Sequence, residues 1–260
     1  MLVAIGLVAL WFFGAHQLGP MTMPSPTVVL GEIVPMLQSE VFVSDLRTTM
    51  SQILIALVLA LVLGTGCGVL GWRFRSFRSA VFPWLSMLNT VPPVLLYPVA
   101  IIFFGLGTGS TVLLSIFLGG MVMTESTYAG LRSVERVHLE VASIFRASRV
   151  ATFRKVLLPG ALDIIATGLR VGFTLVFIVV IATGYILSGV GLGYRLRFYY
   201  ESFAMSQLYA LVILIIALSL ACQVVLMAAL RLVRSSDRAT SKGLGPASQD
   251  VPNGVRQAPV

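Results

Sequence analysis

Runs of about twenty apolar residues recur along this chain as far as residue 232, and they constrain its fold more than any other feature. A helix of that length spans the hydrocarbon core of a bilayer. The chain is 57% hydrophobic and 11% charged, whereas a soluble domain carries about 25% charged residues. Because a backbone in lipid must satisfy its own hydrogen bonds, the sequence predicts an all-α, polytopic membrane helical bundle.

The runs divide the chain into about six predicted spans and a tail. The predicted spans are residues 2–18, 50–70, 81–104, 110–131, 161–187 and 208–232. Residues 1–234 would form one transmembrane domain, and the polar residues 235–260 a disordered tail on the cytoplasmic side. Residues 2–18 also fit a secretory signal, although no basic n-region or small-residue cleavage site is evident. The sequence also leaves open whether the protein starts upstream of Met1.

Proline and glycine mark the segments that depart from regular helix packing. Residues 25–37 follow a proline-rich stretch and are predicted to form a short amphipathic helix on the surface. The third span contains four prolines, which predict a kinked or broken helix that is either simply bent or lines a pathway. These prolines are Pro83, Pro92, Pro93 and Pro98. Small residues near the end of the second span predict close helix packing; they are Gly64, Gly66 and Gly68.

The distribution of lysine and arginine predicts the orientation of the spans. Three arginines follow the second span, six basic residues lie between the fourth and fifth, and five lie at and beyond the end of the sixth. The opposite side has only Arg47, Arg195 and Arg197. Because basic residues collect in cytoplasmic loops, both termini are predicted to be cytoplasmic. This bias explains the net charge of +8 without a nucleic-acid partner.

Two charged residues, Glu125 and Arg170, fall inside the fourth and fifth predicted spans. A charge at that depth costs about 2.5–3.5 kcal/mol even on lenient insertion scales, so it usually faces the bundle interior. The two residues are predicted either to pair, to line a gate, or to form a packing pair without a role in transport.

The residues of catalytic and metal sites do not assemble in this sequence. Neither Lys155 nor Lys242 belongs to a Gly-Lys-Ser/Thr phosphate-binding loop. The two histidines lie far apart, which argues against a histidine metal site. Cys67 and Cys222 sit in apolar runs and are interpreted as small core residues. We therefore expect no catalytic residue, no metal and no cofactor bound by this chain.

The longest polar interruption before the tail is residues 138–159, HLEVASIFRASRVATFRKVLLP. It is predicted to form two short helices, residues 138–146 and 150–157, the second ended by Pro159 and Gly160. Apolar Leu139, Ala142 and Ile144 alternate with charged residues. Such an amphipathic pair suits docking into a groove of a soluble partner; the alternative is an ordinary basic loop.

This segment resembles the cytoplasmic signature of the permease subunits of bacterial ATP-binding-cassette (ABC) importers. The signature is Glu-Ala-Ala, three residues, Gly, nine residues, Ile, any residue, Leu-Pro. The matching positions here are Glu140, Val141, Ala142, Arg146, Val156, Leu158 and Pro159. Val141 replaces alanine, Val156 replaces isoleucine, and Arg146 replaces the glycine that lets the turn between the two helices bend closely.

Further pieces resemble the nitrate/sulfonate/taurine-type branch of these importers, in order and over roughly residues 22–232. They are Met23-Pro24-Ser25-Pro26, Thr90-Val91-Pro92-Pro93, Phe104-Gly105-Leu106-Gly107, Gly168-Leu169-Arg170 and Gly189-Val190-Gly191-Leu192-Gly193.

The resemblance implies an importer of the bacterial inner membrane with several partners. Two permeases, expected here as a homodimer, would form the pathway, with ABC ATPase subunits that bind ATP beneath them. An extracytoplasmic substrate-binding protein would deliver a small anion such as a sulfonate, taurine or nitrate. Residues 138–159 would be the coupling helix in a cleft of the ATPase, with Glu140 at the polar edge of the cleft and Ala142 as a close packing contact.

A different class of protein also fits part of the pattern. The alternative is a self-contained secondary transporter or channel that uses Glu125 and Arg170 for coupling. Such carriers often contain repeated halves with paired broken helices, and the sequence shows one strongly broken span without a clear second copy. A membrane enzyme or scaffold is a third class, for which no site is evident.

Overall fold

The computed structural model describes residues 2–19, 22–88, 90–186 and 188–242, and all regular structure within these ranges is helical. The helices are α1 (Leu2–Leu18), α2 (Pro26–Gln38), α3 (Glu40–Arg73), α4 (Arg75–Leu88), α5 (Tyr97–Phe104), α6 (Thr108–Ser133), α7 (Arg136–Ile144), α8 (Arg149–Thr152), α9 (Leu158–Ile186), α10 (Gly191–Glu201) and α11 (Met205–Lys242). A 3₁₀ turn, Pro93–Leu96, precedes α5, and a π turn, Phe153–Leu157, precedes α9. The predicted all-α bundle is confirmed.

Four helices of the described ranges are long and apolar enough to cross a membrane. They are Glu40–Arg73, Thr108–Ser133, Arg149–Ile186 and Met205–Leu232. The remaining two predicted spans differ from these. Helix α1 has 17 residues, the lower limit of about 17 for a span, and the proline-rich third span is broken into α4, the 3₁₀ turn and α5. The count of six spans is therefore approximate.

Helix α6 forms the centre of the bundle, with α3 packed along one side and α9 along the other. An ideal Cβ on Gly64 of α3 would lie 2.6 Å from Met123 Cβ of α6, and one on Gly68 would lie 2.6 Å from Thr127 Cβ. On the other side, a Cβ on Gly119 would lie 2.7 Å from Val176 Cγ2. Glycines thus permit the close packing predicted for Gly64 and Gly68, whereas Gly66 faces open space.

The structure corrects three predicted boundaries. Helix α3 starts at Glu40 rather than residue 50, because the Ser39 hydroxyl accepts the Phe42 N–H at 3.1 Å and caps the helix. The glycine-rich connector 188–204 contains helix α10. Helix α11 continues past residue 234 to Lys242; the rest of the predicted tail, residues 243–260, lies outside the described residues.

Pro159 does not end the second short helix, contrary to the sequence prediction. The chain runs helically from Arg149 through the π turn into α9. In the π turn, the Leu158 N–H donates to the Phe153 carbonyl, five residues back. A proline in a helix lacks this donor and crowds the carbonyl four residues earlier, and the wider π turn directly before Pro159 gives the ring room. Residues 149–158 of the predicted coupling helix are therefore continuous with a long membrane helix.

Candidate functional site

The turn that follows α7 explains why a glycine suits the position of Arg146. The Arg146 N–H donates to the Ser143 carbonyl at 2.9 Å, and the Ala147 N–H donates to the Ala142 carbonyl at 3.0 Å. These two hydrogen bonds form a Schellman motif, whose residue after the cap adopts a left-handed conformation. Arg146 has that conformation, with φ +49°. The turn thus forms with arginine, which bears a strain of about 1–2 kcal/mol that glycine would avoid.

One face of the coupling segment is anchored on the chain's own core. Leu157 is only 4% exposed and belongs to a cluster with Leu131 and Ala161, against which Leu139 and Phe153 also pack. Ala142 is buried as well. The sequence analysis missed Leu157, the variable position of the signature, and Phe153, although both are apolar and four residues apart. Their burial fixes the segment to the ends of α6 and α9.

The opposite face of the segment carries apolar side chains that nothing in the described chain covers. Ile144 is 76% exposed and Phe145 is 80% exposed. We define the coupling patch as the five exposed apolar residues of this face: Val137, Val141, Ile144, Phe145 and Val150. A contiguous apolar patch on a surface marks an interaction site.

The remaining signature residues lie around this patch and differ in how far they are buried. Glu140 is exposed beside Val141, and its carbonyl accepts the Ser143 hydroxyl at 2.7 Å. Arg146 and Pro159 are exposed, while Val156 and Leu158 are half-buried. The structure therefore places Glu140 and Val141 outward and turns Ala142 and Leu158 toward the chain's own helices.

The intramembrane charges Glu125 and Arg170 are not brought together as an ion pair, although both are described. Gly168 of α9 faces Ser126 of α6, and successive helical residues are about 100° apart, so Arg170 points about 160° away from that contact. Arg170 Nε is buried and has no hydrogen-bond partner within the described part of the chain. The pairing alternative is not realised in this structure, and the gate stays a prediction.

A second polar site, which the sequence analysis missed, joins α3 to α10. Arg195 Nε and Asp45 Oδ2 are 2.7 Å apart, and the Leu192 N–H donates to the Thr49 hydroxyl oxygen at 2.9 Å. We call these four residues, Asp45, Thr49, Leu192 and Arg195, the latch. Burial raises the pKa of the neighbouring Tyr199 phenol, while the positive charge of Arg195 acts in the opposite direction. Asp45 and Arg195 both lie between predicted spans, and only the fold brings them into contact.

The family of binding-protein-dependent transport system inner membrane components matches residues 60–236, which include the coupling patch and α9. The chain belongs to this family. The taurine transport system permease protein TauC of Escherichia coli is 29% identical over 201 residues, covering 75% of this chain and 73% of TauC. The nitrate import permease protein NrtB of Synechocystis is 23% identical over 195 residues, covering 72% of this chain and 71% of NrtB.

The fold of the permease agrees with this assignment. Its structure is similar to a chain of the MetNI methionine ABC transporter in an inward-facing conformation, with a TM-score of 0.65 and 19% identity. The match covers 75% of this chain and 99% of that chain. The permease is thus a membrane subunit of an ABC importer and is not itself an enzyme. The alternative of a self-contained secondary transporter or channel is set aside.

Proposed function

We propose that two copies of the permease form the translocation pathway and that the coupling patch of each copy docks into a cleft of an ABC ATPase subunit. The ATPase binds and hydrolyses ATP, and the permease binds no cofactor of its own. An extracytoplasmic binding protein delivers the substrate. Closure of the ATPases then moves the membrane helices between inward- and outward-facing states.

The observation that carries this proposal is the two-sided character of residues 136–158. Leu157, Leu139 and Phe153 attach the segment to the helix bundle, while Ile144 and Phe145 point away from it with most of their surface exposed. Because α8 continues directly into α9, a force applied at the patch passes through the hydrogen-bonded turn after α7 into a membrane helix.

The substrate proposed is a small anion such as a sulfonate, taurine or nitrate. Relatives named for taurine and nitrate support this class. Arg170 supports it as well, because its guanidinium carries a positive charge within a membrane helix. The proposed orientation places both termini and the coupling patch in the cytoplasm, in keeping with the bias of basic residues toward that side.

Copurification of the ATPase with the permease tests the docking. Phe145→Ser removes the most exposed aromatic side chain of the coupling patch, and Glu140→Arg reverses the charge beside it. We expect each variant to lose at least about tenfold in ATPase association, as for central aromatic residues of interfaces, while the permease itself still folds.

Phe203→Ser is the matched control for the docking experiment. Phe203 is also a phenylalanine, is 82% exposed, and lies in the turn between α10 and α11, away from the coupling patch. The control should keep its ATPase. Retention of the ATPase by Phe145→Ser, or its loss from Phe203→Ser to the same extent, would contradict docking at the patch.

A further inference from the structure

Helix α9 carries a polar face between residues 163 and 174. Asp163, Thr167 and Thr174 lie seven, three and four residues from Arg170. At about 100° per residue, the four side chains fall within a sector about 60° wide. Asp163, Thr167 and Thr174 are exposed and Arg170 is half-buried. We call these four residues the α9 polar face.

The exposed faces of two other long helices are different in character. On α3 the large exposed residues inside the apolar run include Leu54, Val58 and Val62. On α11 they include Ile216, Leu220 and Val224. Such surfaces suit contact with lipid chains. A face that contains an arginine and a carboxylate does not, because charges in the hydrocarbon region normally face water or protein.

Arg170 is the member of this face whose polar group is left unsatisfied. The hydroxyls of Thr167 and Thr174 donate to the carbonyls of Asp163 and Arg170, at 2.9 and 3.0 Å, and are thereby satisfied within the helix. Arg170 Nε is buried without an acceptor in the described part of the chain. The residue lies about 18 Å along α9 from Leu158, near the middle of the helix. The Nε–H is therefore available to an acceptor that is not among the described residues.

We propose that the α9 polar face lines the translocation pathway and that Arg170 is the residue that contacts an anionic substrate as it passes. The inference rests on the proposed function and assigns the substrate contact within it. An anion supplies the hydrogen-bond acceptor and the negative charge that the guanidinium lacks. Since the anion binds only transiently, Arg170 Nε has no permanent partner among the described residues.

Cysteine labelling of the assembled complex in membranes tests the proposal without knowledge of the natural substrate. Cys67 and Cys222 are first replaced by alanine, and Thr167→Cys or Thr174→Cys is introduced. Val58→Cys on α3 and Val224→Cys on α11 are matched controls on apolar exposed faces. The probes are sulfonatoethyl methanethiosulfonate, an anion, and trimethylammonioethyl methanethiosulfonate, a cation of similar size.

We expect both polar-face cysteines to react with the probes and both control cysteines to resist them. The anionic probe should react about tenfold faster than the cationic probe, because the Arg170 charge attracts one and repels the other. Adding Arg170→Gln should remove this preference, and adding Arg170→Lys should retain most of it.

Two results would overturn the inference. If the polar-face cysteines resist both probes but form disulfide cross-links between two copies of the permease, the face is an interface between copies and not a pathway. If they react and Arg170→Gln leaves the preference unchanged, Arg170 does not contact the anion. Both outcomes are independent of ATPase copurification, which tests the proposed function separately.

Discussion

The two ends of the helix bundle are held in opposite ways. At one end, the latch joins α3 to α10 through a partly buried ion pair and a hydroxyl that accepts a backbone N–H. At the other end, residues 136–158 are anchored on one face by Leu157 and expose Ile144 and Phe145 on the other. The chain thus joins its own polar groups at the first end and leaves apolar side chains exposed at the second.

We expect this difference to separate residues that stabilise the permease from residues that bind a partner. Substitutions in the latch should change the stability of the permease, since its contacts lie within one chain. Substitutions in the coupling patch should change association with the ATPase and leave stability nearly unaltered, because exposed residues away from special features usually alter stability by less than about 0.5 kcal/mol.

The largest effect is expected from Asp45→Ala, which leaves the half-buried Arg195 without its counter-charge. Removal of one partner of a buried ion pair costs about 3–5 kcal/mol, and the partial exposure of this pair places the expected loss near 3 kcal/mol. Denaturant unfolding of the purified permease in detergent measures it. Glu40→Ala, which removes an exposed carboxylate of the same helix, should cost less than about 1 kcal/mol.

The charge swap of Asp45→Arg with Arg195→Asp should recover part of this loss. If Asp45→Ala were no more destabilising than Glu40→Ala, the latch would not hold α10 on α3, and the contrast between the two ends would fail.

A smaller loss of stability is expected from Gly193→Ala in α10. An ideal Cβ at Gly193 would lie 2.8 Å from Gly184 Cα and 2.8 Å from the Tyr185 nitrogen, both backbone atoms of α9. Because backbone cannot move aside as a flexible side chain does, α10 must shift, at a cost of about 1–3 kcal/mol. Gly189→Ala is the matched control, since a Cβ there meets nothing within 4 Å. Equal stability of the two variants would contradict close packing of α9 on α10.

The smallest effect, and the only one expected to stabilise, is that of Arg146→Gly. Arg146 and Phe203 both occupy the left-handed position after a helix, with φ +49° and +56°. Glycine at either position should raise the free energy of unfolding by about 1 kcal/mol, because the left-handed conformation no longer carries a Cβ penalty.

ATPase association distinguishes these two glycine variants. Phe203→Gly should leave it unchanged. If Arg146→Gly strengthens ATPase association, the turn formed with arginine differs from the docking geometry of the family. If ATPase association does not increase, glycine is not essential at this position.

The sequence was most informative where the signal was local. The apolar runs predicted the long helices α3, α6, α9 and α11, and the prolines predicted the break between α4 and α5. The spacing from Glu140 to Pro159 indicated the importer family, which the family match over residues 60–236 confirms; the coupling role of these residues stays a prediction. The number of spans did not follow from the apolar runs, because length and apolarity do not tell whether a proline-rich run forms one helix or two.

The sequence by itself determined that this chain is a helical membrane protein and which segment interrupts the bundle, since both depend on hydrophobic runs and on motif spacing. Only the tertiary structure decided that Asp45 meets Arg195, 150 residues later in the chain, that Glu125 and Arg170 do not form an ion pair, and that Leu157 faces inward while Phe145 faces outward. These three outcomes depend on how each helix is oriented about its own axis and packed against its neighbours. That orientation is set by contacts such as Gly64 on Met123, which no single segment encodes.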